Sequence, residues 1–281
     1  MKAILPVAGV GKRLRPLTYS QPKPLIPLAG KPIISFIIDQ LMAVGVDEFV
    51  FIIGFLGDKI EDYVREAYPD LQATFVTQED RLGPGHAIWL ARETFKEEES
   101  IIIFFGDVIV DADLAHVVNN PKSTLVVKKV KDPRQFGVVE MKGERLHRLV
   151  EKPKIPKSDL AMVGIYKIAD VPTFLEGLHF NIERGIQTND SFQLTDALMR
   201  MVEREVPFDI FHVNNWFDCG QPDVLLATNA IFLDRAGLTS EDIAGTTNTV
   251  IVHPVRIGPG CEITNSIIGP HVTIGEKTTI K

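Results

Sequence analysis

A short apolar run over residues 2–8 ends at Gly9, and after a loop the apolar positions Ile33, Phe36, Ile37, Leu41 and Val44 recur at about the helical period. That is a strand, a loop and a helix. The alternation repeats with strands over 48–54 and 73–77, helices over 58–67 and 85–95, and a continuous Ile/Phe strand over 100–105. Strands separated by helices predict an α/β fold whose mainly parallel sheet is covered on both faces. In such sheets ligands collect beyond the carboxyl ends of the strands, where Gly9, Gln78 and Asp107 fall.

From about residue 123 the segments shorten and Gly and Pro punctuate them. Strands are predicted over 123–130, 137–142, 145–151 and 161–168, and helices over 171–178, 194–205 and 222–236. The chain therefore divides into one large domain, 1–238, with a first half to about 122 and a substrate-binding half from 123, followed by a linker, 239–248. In the tail, 249–281, Ile251, Ile257, Ile263, Ile268, Ile274 and Ile280 are spaced 6, 6, 5, 6 and 6 apart, and Gly258, Gly269 and Gly275 each follow one of them. A near-hexad of aliphatics with glycines is the pattern of a left-handed parallel β-helix, here with about two coils. So short a stack calls for cover: its own domain, another subunit, or the rest of a longer protein.

Composition narrows the class. With 45% hydrophobic and 24% charged residues the chain is neither disordered, collagen-like nor coiled-coil. Asp39 interrupts its best apolar stretch well short of the roughly 18 residues of a membrane span, so no membrane association is expected. Lys12, Arg13 and Arg15 stand where a secretory signal needs its apolar region, and the two cysteines, Cys219 and Cys261, form neither a disulfide framework nor a zinc motif. A cytoplasmic protein is expected.

Charge is unevenly spread. The first 38 residues hold Lys2, Lys12, Arg13, Arg15, Lys23 and Lys31 and no acidic residue, so with a net charge of −7 overall the remainder carries −13. A locally basic, glycine-containing segment in an acidic protein suits a small polyanion. Nucleic acid would need a broader basic surface.

The candidate chemistry lies in that segment and in two later ones. The loop Gly9-Val10-Gly11-Lys12-Arg13-Leu14-Arg15 follows the first strand, where backbone N–H groups and an arginine fork can hold phosphate; the alternative is a plain surface turn. It is not a dinucleotide fingerprint, because Leu14 takes the third glycine's place, and it is not a Walker loop. Pro22-Lys23-Pro24 frames a single ammonium group, unless it is only a stiff connector. Gly106-Asp107 ends the Ile/Phe strand and Asp218 follows Trp216-Phe217; each is a turn aspartate or, if the two converge, a site for Mg²⁺ beside bound phosphates. The seven histidines, with no partner that suggests a triad, read as structural or surface residues.

These segments, with Gly137-Val138-Val139-Glu140, Glu151-Lys152-Pro153, Val163-Gly164-Ile165-Tyr166 and Trp216-Phe217-Asp218-Cys219-Gly220, resemble in order the sugar-1-phosphate nucleotidyltransferases. The similarity spans residues 1–236, is greatest toward glucose-1-phosphate thymidylyltransferase-like members, and extends to the β-helix tail many members carry. It implies a Rossmann-like fold of the nucleotide-diphospho-sugar transferase type. Ala8, Gly9, Gly11, Arg13 and Lys23 would bind and activate the triphosphate, Gln78, Gly83 and Pro84 would meet the base, and Asp107 and Asp218 would hold Mg²⁺. Gly137, Glu151, Lys152 and Gly164 would face the sugar phosphate, with Arg13, Lys23 and Lys152 as the catalytic charges. The implied substrates are dTTP or UTP with glucose 1-phosphate, and the implied assembly is a homo-oligomer, a dimer or tetramer. Lys12 and Pro84 depart from the Ser/Thr and Thr/Ala common at those places. The alternatives are a GTP-dependent mannose-1-phosphate enzyme and a non-catalytic nucleotide-sugar sensor of the same fold.

Overall fold

The structure, a computed structural model, describes residues 1–236 and 245–281. Its first half runs β1 (Lys2–Pro6), β2 (Pro27–Leu28), β3 (Lys31–Pro32), α1 (Ile33–Met42), β4 (Glu48–Ile53), α2 (Gly57–Ala67), β5 (Gln72–Thr77), α3 (Pro84–Leu90), β6 (Ile101–Phe104), β7 (Val108–Asp111) and α4 (Ala115–Val118). The second half adds β8 (Ser123–Lys129), β9 (Gly137–Lys142), β10 (Arg145–Glu151), β11 (Leu160–Ile168), α5 (Val171–Glu183), α6 (Leu194–Glu203), β12 (Phe208–His212), β13 (Asn215–Asp218) and α7 (Pro222–Ala236).

Alternation along the strands builds two cores. In β1, Ala3 and Leu5 face one cluster with Phe49, Phe51, Ile34, Ile38 and Ile60, while Ile4 faces another with Val50, Ile52, Ile88, Phe174 and Leu198. Helices α1 and α2 therefore cover one face of the sheet, and α3, α5 and α6 the other. Each fully buried Phe or Ile contributes about 1.5–3 kcal/mol of transfer free energy, so this two-sided burial is the main force behind the layered fold.

Strands β5, β4, β1 and β6 are parallel neighbours, and β11 joins β6 antiparallel. Along one edge β11 pairs first with β9 and then with β6; along the other it pairs with β8, which carries β12 in parallel. The change of partner occurs at Gly164, whose φ of +91° only glycine adopts readily, and whose carbonyl accepts from Phe105 N at 2.9 Å. Helices on both faces are what the alternation predicts; the sheet, expected to be mainly parallel, is parallel through β5, β4, β1 and β6 and antiparallel where β9, β10 and β11 pair. Helix α3 stops at Leu90, short of the predicted 95, because Arg92–Thr94 tightens into a 3-10 turn and Thr94 Oγ1 donates to Ala91 O at 2.7 Å.

The tail is built from β14 (Thr246–Thr247), β15 (Val250–Ile251), β16 (Val255–Ile257), β17 (Glu262–Thr264), β18 (Ile267–Ile268), β19 (Val272–Ile274) and β20 (Thr279–Ile280). They form three narrow parallel ladders, and every pairing joins residues 17 apart, as Thr246 with Ile263, Val250 with Ile267, Val255 with Val272 and Glu262 with Thr279. Val255, Cys261, Ile263, Ile268 and Ile274 fill the interior. The tail docks on the first part of the chain. Arg256 Nη1 donates to Ala29 O at 2.9 Å, Asn229 Oδ1 accepts from Ala29 N at 2.9 Å and from Thr273 Oγ1 at 3.2 Å, and Asn229 Nδ2 donates to His271 O. The predicted linker, 239–248, falls largely outside the described residues.

Candidate functional site

Four charged groups meet beyond the carboxyl ends of β1 and β6, and one small apolar cluster positions all four. Leu14, Ile26, Leu28, Ile33, Ile109, Cys219 and Leu225 pack together as a unit separate from the two main cores. Leu14 is the neighbour of Arg13, Ile26 lies three residues past Lys23, Ile109 two past Asp107, and Cys219 follows Asp218. Exposed Arg13 is thus tethered through its buried neighbour, and the loop is tightened where Thr18 Oγ1 donates to Gly11 O at 2.9 Å.

Backbone register places the carboxylates side by side. In the antiparallel pair β7–β13, Asp218 stands opposite Val108, and Cys219 N donates to Asp107 O at 3.0 Å. Lys23 Nζ forms an ion pair with Asp107 Oδ2. A Cβ added to Gly220 would meet Asp218 Oδ1 at 2.8 Å and Lys23 Nζ at 2.9 Å, so both groups lie against that residue. Burial first, and then the charge of Asp107, raise the Asp218 carboxyl above its ordinary value, while Lys23, the Gly220 N–H and Arg13 pull it back down. Two carboxylates held this close are short of positive charge. Cys219 in the same cluster is fully buried, and burial pushes its thiol up to about 12, which makes it inert filler.

Asp218→Asn tests this repulsion. A carboxyl whose folded pKa is raised destabilises the fold once ionised, so the native protein loses stability as pH rises through the window from 3.8 to the raised value. The amide removes the penalty and keeps the acceptor for Gly220 N. The variant should therefore melt higher than the native chain at neutral pH, with the gap closing below the window; thermal unfolding at several pH values checks it, and a lower melting point at neutral pH would refute it.

Two cavities open on this centre. The first, about 270 Å³, is walled by Ala8, Gly9, Lys23, Gln78, Gly83, Pro84 and Asp107, with Arg81 and Phe105. The second, about 210 Å³, is walled by Arg13, Gly137, Glu151, Lys152, Gly164 and Asp218, with Phe136, Tyr166, Thr195 and Trp216. Both share Pro84, Phe105 and Asp107, so a ligand in one would abut a ligand in the other at that carboxylate. Gly11 alone among the expected residues lines neither cavity. Arg13, expected at the nucleotide, stands in the second.

Glu151 and Lys152, expected at the sugar phosphate, are held in place. The Glu151 side chain is only 10% exposed; Oε1 lies 3.3 Å from Lys152 Nζ and Oε2 accepts from Thr195 Oγ1 at 2.6 Å. Lys152 itself carries a φ of +43°, a cost that a non-glycine residue bears where the surroundings fix it. The sequence reading missed Thr195, Phe136 and Arg81, because Thr195 looks like any residue of a first helical turn. Tyr166, fully buried in the second cavity, is kept neutral by burial and by the charges of Glu151 and Asp107. The Trp216 indole N–H is buried with no acceptor, an unused donor in the cavity wall.

Among the described residues no helix is long and apolar enough to cross a membrane, and no cluster of three or more His, Cys, Asp or Glu side chains is poised for a metal.

The family model "Nucleotidyl transferase" matches residues 2–235. The bifunctional protein GlmU of Methanocaldococcus jannaschii is 36% identical over 264 residues, covering 92% of this chain and 61% of its own length. The glucose-1-phosphate thymidylyltransferase of Streptomyces griseus is 28% identical over 307 residues, covering 100% of this chain and 84% of its own. Among solved structures, that of a putative glucose-1-phosphate thymidylyltransferase from Bacillus anthracis superposes with a TM-score of 0.72 at 24% identity, covering 82% of this chain and 94% of that one; at that identity the likeness speaks for the fold. The chain spans about three-fifths of the length of the GlmU relatives it matches.

Proposed function

The chain belongs to the nucleotidyl transferase family, and from that premise we propose that it joins UTP or dTTP to a sugar 1-phosphate, glucose 1-phosphate in the first instance, releasing pyrophosphate and a nucleotide-sugar. The observation that carries the reading is the pair of cavities that share Asp107, one with Lys23 in its wall and the other with Arg13 and Lys152. Two polyanions placed end to end need such charges between them.

The chemistry asks for no nucleophilic side chain. An oxygen of the sugar 1-phosphate attacks the α-phosphorus in line, a new phosphorus–oxygen bond forms, and the bond to the β-phosphate breaks as pyrophosphate leaves. In this reading Gln78 and Gly83 meet the base, and Ala8, Gly9 and Lys23 meet the phosphates. Glu151 accepts sugar hydroxyls, held for the purpose by Thr195 and Lys152, and Gly137 and Gly164 keep the floor of the second cavity low. Lys152 and Arg13 hold the incoming phosphate against its like-charged partner.

Asp107 and Asp218 fit a divalent cation, Mg²⁺ in this proposal, because their mutual repulsion is only partly offset by Lys23. When bound, such an ion supplies neutralisation of phosphate charge. The proposal also takes residues 1–238 as the catalytic domain with halves at 1–122 and 123–238, 239–248 as a linker and 249–281 as a left-handed β-helix. It places the protein in the cytoplasm as a homo-oligomer.

Pyrophosphate release across UTP, dTTP, CTP, GTP and ATP, crossed with glucose, galactose, mannose and N-acetylglucosamine 1-phosphates, tests the reading. Release should require both substrates and stop when EDTA removes divalent ions. Folded protein that binds nucleotide yet stays silent across the whole grid would replace the enzyme with a sensor.

A further inference from the structure

Gln78, the residue after β5, is almost wholly buried, at 5% exposure, in the wall of the cavity read here as the nucleotide site. Its amide nitrogen lies 3.2 Å from Gly83 O and 3.3 Å from His86 Nδ1. A carbonyl oxygen can only accept, so the side-chain atom facing Gly83 must be nitrogen. That requirement sets the rest. With the amide nitrogen so turned, His86 Nδ1 faces a donor and must itself accept, which confines the ring to the neutral form protonated on its other nitrogen. Both amide protons of Gln78 are then engaged within its own loop and helix, and the group left for a ligand is the carbonyl oxygen, an acceptor.

We propose that His86 is a positioning residue for base selection: by accepting from Gln78 it holds the Gln78 carbonyl oxygen as the reading group and, among pyrimidines, favours uracil and thymine, which carry an N3–H, over cytosine, whose N3 only accepts. The inference rests on the nucleotide reading of the first cavity and adds to it a residue that touches no ligand. His86 stands at the third position of α3, outside the cavity wall, and acts through Gln78 alone.

The surroundings suit a neutral ring. Burial lowers the His86 pKa below its ordinary value, with Asp80 partly offsetting it through its charge and a backbone hydrogen bond; Asp80 is the charged group that acts on the ring. The segment packed opposite presents Phe192, uncharged, with ring centroids 6.4 Å apart. Protonation would put an N–H on Nδ1 against the amide N–H₂ while Gly83 O still demands that nitrogen. No rotamer of the amide satisfies both, so Gln78 would leave its reading position in acid.

His86→Asn, whose side-chain oxygen can accept near the place of Nδ1 and does not titrate, and His86→Leu, which cannot accept, separate this role from packing. At neutral pH the native protein and His86→Asn should keep a lower KM for UTP than for CTP. His86→Leu should raise the UTP KM about tenfold with kcat little changed, and lose most of the discrimination, as expected where a buried hydrogen-bonding site is left misoriented. On acidification the UTP KM of the native protein should rise beyond that of His86→Asn. Native discrimination in His86→Leu, or the same acid rise in native protein and His86→Asn, overturns the proposal. Equilibrium binding of UTP and CTP without sugar phosphate reads the same ratio. Discriminating binding without pyrophosphate release would sink the enzymatic reading alone, whereas binding of neither nucleotide would sink both.

Discussion

Lys23→Ala should lower kcat/KM by about two to three orders of magnitude, the 3–4 kcal/mol typical of one preorganised charge removed from a developing anion. Three features make this the most damaging single truncation in the site. Lys23 is rigidly framed, with Pro22 and Pro24 on either side and a 3-10 turn over Lys23–Leu25 closed by Ile26 N donating to Lys23 O at 3.1 Å. It is the cation paired with Asp107, and it holds down the Asp218 carboxyl. It also lines the first cavity, so the ammonium faces whatever anion enters. Removing it leaves two neighbouring carboxylates to repel each other and the substrate alike, and stability should fall together with turnover. The double variant Lys23→Ala, Asp107→Asn distinguishes the two losses: relief of the repulsion should restore most of the melting temperature and none of the rate. Turnover within about fivefold of the native value in Lys23→Ala would remove the residue from the mechanism.

Gly269→Ala should have the largest effect on the tail. Gly269 has a φ of +108°, a conformation closed to residues with a Cβ, and an added Cβ would run into the Val252 carbonyl oxygen, with Val255 Cγ2 at 2.8 Å. Val252 N in turn donates to Ile268 O at 2.7 Å, so the two segments cannot separate without losing a ladder bond. Strain of this kind adds backbone distortion to a lost hydrogen bond, about 3 kcal/mol or more in total. The cost should fall on the tail and leave the cavities intact, because Gly269 follows β18 in the tail's ladders and the site lies on the large sheet. Limited proteolysis should release fragments cut within 246–281 while nucleotide binding persists. Proteolysis and melting like the native protein's would contradict the assigned register.

The tail and the front half of the sheet are legible in the sequence for one reason: their periodicities are long enough to be distinct. The Ile spacings of 6, 6 and 5 add to the 17-residue step of the ladders, and the strand-and-helix alternation through β5 follows patterns that differ in period. What is not legible depends on contacts distant in sequence. Strand β7 is only three apolar residues and an exposed Asp111, cut from β6 by Phe105-Gly106-Asp107, and its partner β13 lies about a hundred residues on; that pairing is what sets Asp218 beside Asp107. Strand β12 escapes because all of its residues are partly exposed, which leaves no two-sided contrast to read. His86 reads as a structural histidine until the turn after β5 brings it to Gln78. Thr195 and Glu151 likewise meet only once α6 lies across the end of β10.

The 17-residue step also fixes a reading frame for the tail. Because Ile251 sits under Ile268 and Ile257 under Ile274, adding or removing one residue between them would turn every later side chain by a position, carrying interior isoleucines to the outside and polar neighbours inward. The sheet of the catalytic part absorbs changes of length in its loops, where no pairing counts residues. In the tail, length can change without harm only by whole 17-residue steps or in the turns between strands, so for its history and for its redesign this segment behaves as text divided into words of fixed size.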